Sequence, residues 1–296
     1  MPYLHRLSRT RLLQGKCRTL LINTFAKKMN PNWLGVISAI LAFAAFFVAY
    51  RSARRIATKS RIFISFLAIV AAIPAASFSV YYVHVLPEPG WYYQFRSIAG
   101  TELLMVFMGV AGGLVAALIP RMLLGIPLFG LAAFSIAPII KPFIGPIPNG
   151  TLRDEWDSEV CLQSTPSTCG AASTATILKQ FGADVTESEL AAEAHSYARG
   201  TEAWYLARAA RSRGFDVNFE FSPGVSPEDG LPAVVGVRLG SNGHFIAILG
   251  QEGDMFVIGD PLRGREVLSR EELEHRYDFT AFHMRIERKG ESGPGE

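Results

Sequence analysis

Three cysteines in 296 residues are too few to staple a fold, which excludes a small disulfide scaffold. Acid is scarce in one half only. Residues 1–150 hold Glu88 and Glu102 as their only carboxylates, against 15 Lys/Arg. Residues 151–296 hold 24 acids against 14 Lys/Arg, so the overall charge of +3 describes neither half. With 49% of residues hydrophobic and no repeated Gly period, a disordered or collagen-like chain is excluded too. The positive excess lies beside long apolar runs. It therefore reads as membrane topology, and no nucleic-acid partner is expected.

About 20 apolar residues cross a bilayer as a helix. Two runs, 33–50 and 62–83, meet that length without a charge. Two more, 103–119 and 122–140, are near the lower limit and separated only by Pro120-Arg121, as two short spans or as one span with a re-entrant piece. The expected organisation is a basic segment over 1–31 and an all-α membrane region of about four spans over 32–141. A Pro/Gly linker over 142–154, a soluble domain over 155–287 and a disordered tail over 288–296 follow. Trp91, Tyr92, Tyr93 and Phe95 read as an aromatic belt at the membrane interface, and Gly112-Gly113 as a site of close helix packing.

Orientation is contested within the sequence. Arg51, Arg54, Arg55, Lys59 and Arg61 favour a cytoplasmic loop between the first two spans, which puts the acidic half outside. Residues 1–28 carry seven Lys/Arg and pull the other way. They are either a basic surface helix or a stretch ahead of a start at Met29. The extracytoplasmic placement of the acidic half is favoured.

From Thr151 onward, helices are expected at Cys169–Phe181, Thr186–Ala194 and Thr201–Arg213. Strands are expected at Phe215–Phe221, Ala233–Leu239, His244–Leu249, Met255–Ile258 and Phe279–Glu287. Helices followed by mostly antiparallel strands make an α+β domain. Arg208, Arg211 and Arg213 read as a solvated helix face.

Cys169 opens the first of these helices, where backbone N–H groups and the helix dipole favour a thiolate, the nucleophilic form of cysteine. His244 begins a strand, and Asp260 lies after the next one, 16 residues on. Two antiparallel strands bring such positions side by side, so that the carboxylate orients the imidazole. Gln163, six residues before Cys169, offers an amide to a developing oxyanion. Each residue alone also fits a purely structural role; the order Gln–Cys–His–Asp and the local settings favour chemistry. A bridge from Cys161 to Cys169 would silence the nucleophile, and Cys17 has no evident role. His195, His275 and His283 do not fall at metal-ligand spacings, so no metal and no cofactor are expected.

The segment Cys161–Gly182, CLQSTPSTCGAASTATILKQFG, resembles the active-site helix of the C39 peptidases, the papain-like domains of bacteriocin-processing transporters. Gln163, Cys169, Gly170, Ala172, Phe181 and Gly182 fit that pattern. Leu231-Pro-Ala233, His244–Gly250 and Ile258-Gly-Asp-Pro261 resemble its later strands, so the likeness covers about residues 155–285. It implies a papain-like fold and a Cys-His-Asp triad, with Cys169 as nucleophile, His244 as general base, Asp260 as its orienter and Gln163 as oxyanion donor. Thr168 stands where the family often has Asp. The sequence holds no G-x-x-x-x-G-K-[ST] phosphate loop, and the peptidase-like part follows the membrane segments instead of preceding them. ATP-driven export is thus not expected of this chain alone, and cleavage after a double glycine is a weakened expectation.

The reading is a multi-pass membrane protein of the bacterial cell membrane, bearing a cysteine peptidase that hydrolyses a peptide bond through an acyl-enzyme. Its expected partners are a peptide or protein substrate such as a leader peptide, the lipid bilayer and a separate transporter. The alternatives are a catalytically silent peptide-binding domain and a thiol acyltransferase or transpeptidase on the same residues.

Overall fold

The structure is a computed structural model that describes residues 31–148, 150–223 and 230–290. The basic segment 1–28, Cys17 and the end of the expected tail lie outside the described residues.

The first helices, α1 (Trp33–Ala53) and α2 (Thr58–Tyr82), run past the apolar stretches that suggested them. α2 starts at Thr58 rather than Ile62 because its first turn carries Lys59 and Arg61, both good helix formers. The Arg61 guanidinium donates to the carbonyls of Ile56 and Ala117 at 2.8 and 2.9 Å, taking acceptors that helix ends leave free. After α2 come α3 (Gly90–Arg96), a 3-10 turn at Thr101–Leu104 and α4 (Met105–Ala116). Beyond lie α5 (Gly125–Ile136), flanked by 3-10 turns, and α6 (Lys141–Ile144).

Among the described residues, three helical stretches are long and apolar enough to cross a membrane: Trp33–Ala53, Thr58–Tyr82 and Arg121–Ile139. A fourth exists only if α3 and Thr101–Ala116, bent by 100°, count as one span. α4 packs between α1 and α2 through bare glycines. A Cβ at Gly109 would stand 1.9 Å from the Ala42 carbonyl oxygen, and one at Gly113 would stand 2.2 Å from that of Phe46. The outer faces of α1 and α2 keep Ile40, Val48, Phe63 and Phe66 exposed, as lipid-facing positions do.

The proline-rich stretch after Lys141 is less open than its composition suggests. Lys141–Ile144 forms a helical turn, the Ala198 N–H donates to the Gly145 carbonyl at 2.7 Å, and Pro146 bridges Tyr197.

The second half is α+β. A two-stranded ribbon, β1 (Trp156–Asp157) with β2 (Val160–Cys161), precedes α7 (Cys169–Gln180), α8 (Glu187–Glu193) and α9 (Ala203–Ser212). Thr186 and Glu189 form the capping box expected at the start of α8. The strands β3 (Phe215–Phe221), β4 (Ala233–Leu239), β5 (Asn242–Glu252), β6 (Met255–Asp260), β7 (Gly264–Ser269) and β8 (Asp278–Arg288) form one antiparallel sheet in the order β3-β8-β4-β5-β6-β7. α10 (Arg270–Arg276) joins β7 to β8. β7 and α10 escaped the sequence reading, although Ser269 and Glu272 make a second capping box. Arg288, assigned to the tail, pairs with Phe215 in the sheet.

α7 is buried along nearly its whole length between α9 and the sheet. Its small residues let that happen: a Cβ at Gly170 would meet Leu206 at 2.8 Å and Phe245 at 3.2 Å. One hydrophobic cluster runs from Phe46 and Met105 through Tyr82 and Tyr92 to Trp204 and the α7 core, so the apolar helices of the first half and the α+β half share a core.

That shared core corrects two expectations. Of the four residues read as an aromatic belt, only Trp91 is exposed. Tyr92 is fully buried, and Tyr93 packs on Trp204, Phe219, Phe221 and Phe282. The arginines of α9 are not a solvated face. Arg208 donates to Glu102, Thr101 and the Arg96 carbonyl, Arg211 to Ser97 and the Val217 carbonyl, and Arg213 to Glu193. Apolar residues interleaved with positive charge look alike at a lipid interface and at a protein interface, and only the partner distinguishes them.

Candidate active site

Cys169 is the first residue of α7, so its N–H has no intrahelical acceptor and points out of the helix end. The loop before it is fixed by short-range polar contacts. Thr168 Oγ1 accepts from the Thr165 N–H at 3.2 Å, the Gln163 N–H donates to the Pro261 carbonyl at 3.0 Å, and the Ser164 N–H donates to Glu187 at 2.7 Å. The link to Pro261 ties the loop before Cys169 to the loop after Asp260.

β5 and β6 form a hairpin in which Ala247 faces Gly259. Asp260 is the next residue on β6, so its side chain leaves the sheet on the face that carries Ile246 and His244. His244 Nε2 and Asp260 Oδ1 are 2.9 Å apart. The other ring nitrogen is left for Cys169. Burial disfavours the imidazolium, but hydrogen bonds to Asp260 and to Cys169 outweigh it and push His244 up to about 9. Asp260 is fully buried, which by itself would raise its pKa. Hydrogen bonds from His244, the Leu262 N–H and the Tyr277 hydroxyl overcome that and hold it below the ordinary carboxylate value.

Tyr277 is a site residue the sequence did not flag. Its hydroxyl donates to Asp260 Oδ2 at 2.8 Å, and it stands at the end of α10, an element that was itself missed. No spacing rule points to it. Glu187, also buried, is a second omission: it receives both the N–H and the hydroxyl of Ser164 and so holds the loop that carries Gln163.

Gln163 lies on this loop, but its amide is partly engaged. Nε2 donates to the Thr165 carbonyl at 2.9 Å, which leaves one of its two N–H bonds free. Oε1 is buried with no protein partner.

Cys161 and Cys169 are both free thiols. Burial, then the charges of Glu187 and Asp154, push the Cys161 thiol up to about 12. It is therefore held in the unreactive form. Among the described residues, no group of His, Cys, Asp and Glu is placed to hold a metal ion.

Cys169 and His244 line a cleft of about 450 Å³. Its walls include Pro166, Gly200, Phe245 and Phe282 from the α+β half. A cleft of this size takes several residues of an extended chain but not a folded domain. Gln163 is not among the residues that line this cleft. A free thiol at a helix end, an imidazole held by a buried carboxylate and the unpaired N–H at the helix start are the groups that acyl transfer uses.

Residues 157–288 match the Peptidase C39 family. An uncharacterised protein of Methanothermobacter thermautotrophicus is 32% identical over 118 residues, covering 39% of this chain and 80% of that protein. A second, from Methanothermobacter marburgensis, is 30% identical over the same share of both. Among solved structures, the chain is similar to the peptidase domain of Streptococcus ComA, a bifunctional ABC transporter involved in a quorum-sensing pathway. That match has 20% identity and a TM-score of 0.37, and covers 47% of this chain and 98% of that domain. It is also similar to a double-glycine-motif protease of an AMS/PCAT transporter, solved with its leader peptide. Here the identity is 24% and the TM-score 0.38, over 46% of this chain and 94% of the other. The matched stretch runs from the ribbon before α7 through the last strand of the sheet, and by it the chain belongs to the peptidase C39 family.

Proposed function

We propose that this protein is a membrane-anchored thiol peptidase that cuts a peptide bond through an acyl-enzyme on Cys169. The observation that carries the reading is the 2.9 Å contact between His244 and the buried Asp260, in a cleft shared with Cys169 at a helix start. A buried carboxylate that orients a histidine beside a free thiol is the arrangement that activates a nucleophile.

The thiolate of Cys169 attacks the carbonyl carbon, and its negative charge moves to the carbonyl oxygen. The Cys169 N–H and the free N–H of Gln163 are the donors for that oxyanion. The His244 imidazolium gives its proton to the leaving amine as the C–N bond breaks, leaving a thioester. Neutral His244 then takes a proton from water, hydroxide attacks the thioester, and the acid product leaves with Cys169 restored. Asp260 keeps the imidazole oriented throughout, and Tyr277 and the Leu262 N–H keep Asp260 ionised.

The bilayer is the second partner in this reading. α1, α2 and Arg121–Ile139, with α4 between them, hold the α+β half at the membrane, and the charge of the 51–61 loop favours the outer side. The substrate class is an extended peptide segment. The leader peptide bound to the AMS/PCAT protease supports that class for this chain as well.

The expected test is a pH profile. Acylation needs the charged imidazole, and His244 is raised, so kcat/KM holds on the alkaline side until about pH 9 and then falls. Asp260→Asn removes the carboxylate charge that helps to raise His244 and leaves only a neutral amide oxygen to accept from it. Its alkaline limb moves toward the ordinary histidine value of 6.5, with kcat/KM lower by about 100-fold. A profile of Asp260→Asn that overlays the wild type after scaling would show that Asp260 does not act on His244.

A further inference from the structure

The cleft beside Cys169 is not built by the α+β half alone. His84, which follows α2, and Tyr93 of α3 also line it, and both belong to the membrane half of the chain. Tyr93 is not a loose neighbour. Its ring lies 5.4 Å from those of Phe219, Phe221 and Phe282, and Phe245 lies 5.3 Å from Phe282 on the way to His244. Phe221 is 44% exposed although it sits in this aromatic group. An apolar ring left open to water inside a concave site marks a place where a ligand rests.

The placement of α3 is fixed from several sides. Gly90 lies so close to the Phe221 ring that a Cβ would stand 2.8 Å from it. Arg208 holds the C-terminus of α3 with bonds of 2.9 and 2.6 Å to the Arg96 carbonyl. At the other end, Lys141 donates to His84 Nε2 at 3.0 Å and to Glu202 at 2.6 Å, and His84 Nδ1 meets Glu88. A wall held by this many contacts is organised before any substrate arrives, so it loses little entropy on binding.

We infer that His84 and Tyr93 are specificity-determining residues. The membrane half completes the substrate cleft, and a bulky apolar side chain of the bound peptide rests on the surface made by Tyr93, Phe221 and Phe282. The inference builds on the reading of Cys169 as nucleophile. It adds that the α+β half by itself carries the chemistry but only part of the recognition.

The test uses the full-length chain in lipid nanodiscs and two alkylating probes. Iodoacetamide needs only the thiolate. A benzyloxycarbonyl-Phe-Ala-Gly chloromethyl ketone needs the thiolate and the cleft; the thiolate displaces chloride and a thioether forms. Tyr93→Ala should slow the peptidyl reagent about tenfold or more and leave the iodoacetamide rate within about twofold, while Tyr93→Phe keeps both rates. His84→Ala gives a second arm at a half-exposed side chain. It should slow the peptidyl reagent alone. If neither Tyr93→Ala nor His84→Ala slows the peptidyl reagent, or if both probes slow by the same factor, the composite cleft is wrong. A wild-type Cys169 inert to iodoacetamide fails differently: it overturns the nucleophile assignment and this inference with it.

Discussion

Replacing Cys169 by Ala should remove peptide hydrolysis, lowering kcat by about 10⁴-fold or more against a mixed peptide library read by mass spectrometry. The size of the effect follows from the thiolate's place in the mechanism. In the proposed mechanism it forms the covalent intermediate, and no other described side chain in the cleft is a free thiol. His244→Ala should cost nearly as much, and the double variant should be no worse than either single one, because the two groups act as a unit. Cys161→Ala should leave the rate unchanged: its thiol is fully buried and its pKa is pushed up to about 12. Loss of activity in Cys161→Ala with retention in Cys169→Ala would reverse the assignment.

The largest effect on stability is expected at Glu102, one of the two carboxylates among the first 150 residues. It is fully buried. Its Oε1 accepts from Asn32 at 3.0 Å, Arg96 at 3.2 Å and Arg208 at 2.7 Å. Arg96 is itself 1% exposed, with its ring-face contact on Phe78 at 4.2 Å. Asn32 also caps α1 through the Gly35 N–H and donates to the Tyr205 hydroxyl at 3.0 Å. Glu102 thus sits where α1, the α3–α4 corner and α9 meet. Glu102→Ala leaves two guanidinium groups facing each other without a counter-charge. Breaking a buried pair in this way costs about 3–5 kcal/mol. For a chain of this size that lowers the midpoint of thermal unfolding by roughly 10 °C. Fluorescence of Trp204, which lies against Tyr92 and Tyr93, reads the transition. A midpoint within about 2 °C of wild type would mean that water reaches the two arginines.

Much of the α+β half could be read from the sequence because its signals are local. Phe215–Phe221 alternates, Ala233–Leu239 is a β-rich run, both end at turn residues, and the strands occupy those limits. The capping box of Thr186 and Glu189 lies within four residues. The proximity of His244 and Asp260 could be inferred because one hairpin joins them. α10 carries one such cue, the capping box of Ser269 and Glu272, but no apolar period marks it or β7: Gly264–Ser269 is short and mostly polar, and Arg270–Arg276 is almost wholly charged. Tyr277 was lost with them.

The docking of the two halves could not be read from the sequence at all. Glu102 and Arg208 are 106 residues apart, and Tyr93 and Phe282 farther still. Nothing in the sequence around Arg208 distinguishes a solvated arginine from one that meets a buried glutamate. The same holds for the stretch from Trp91 to Phe95. Its composition suits a lipid interface, and its use here as packing against a sheet depends on which surface it meets.

The most direct measurement is alkylation of the folded, full-length protein with iodoacetamide, followed by peptide mass mapping over time at about pH 7. A thiolate held at the start of α7 beside His244 should be modified at Cys169 first, with Cys161 reacting only after unfolding and with Asp260→Asn slowing Cys169. Equal rates at Cys161 and Cys169, or a Cys169 rate indifferent to both His244→Ala and Asp260→Asn, would contradict the assignment of Cys169, His244 and Asp260 as one catalytic unit.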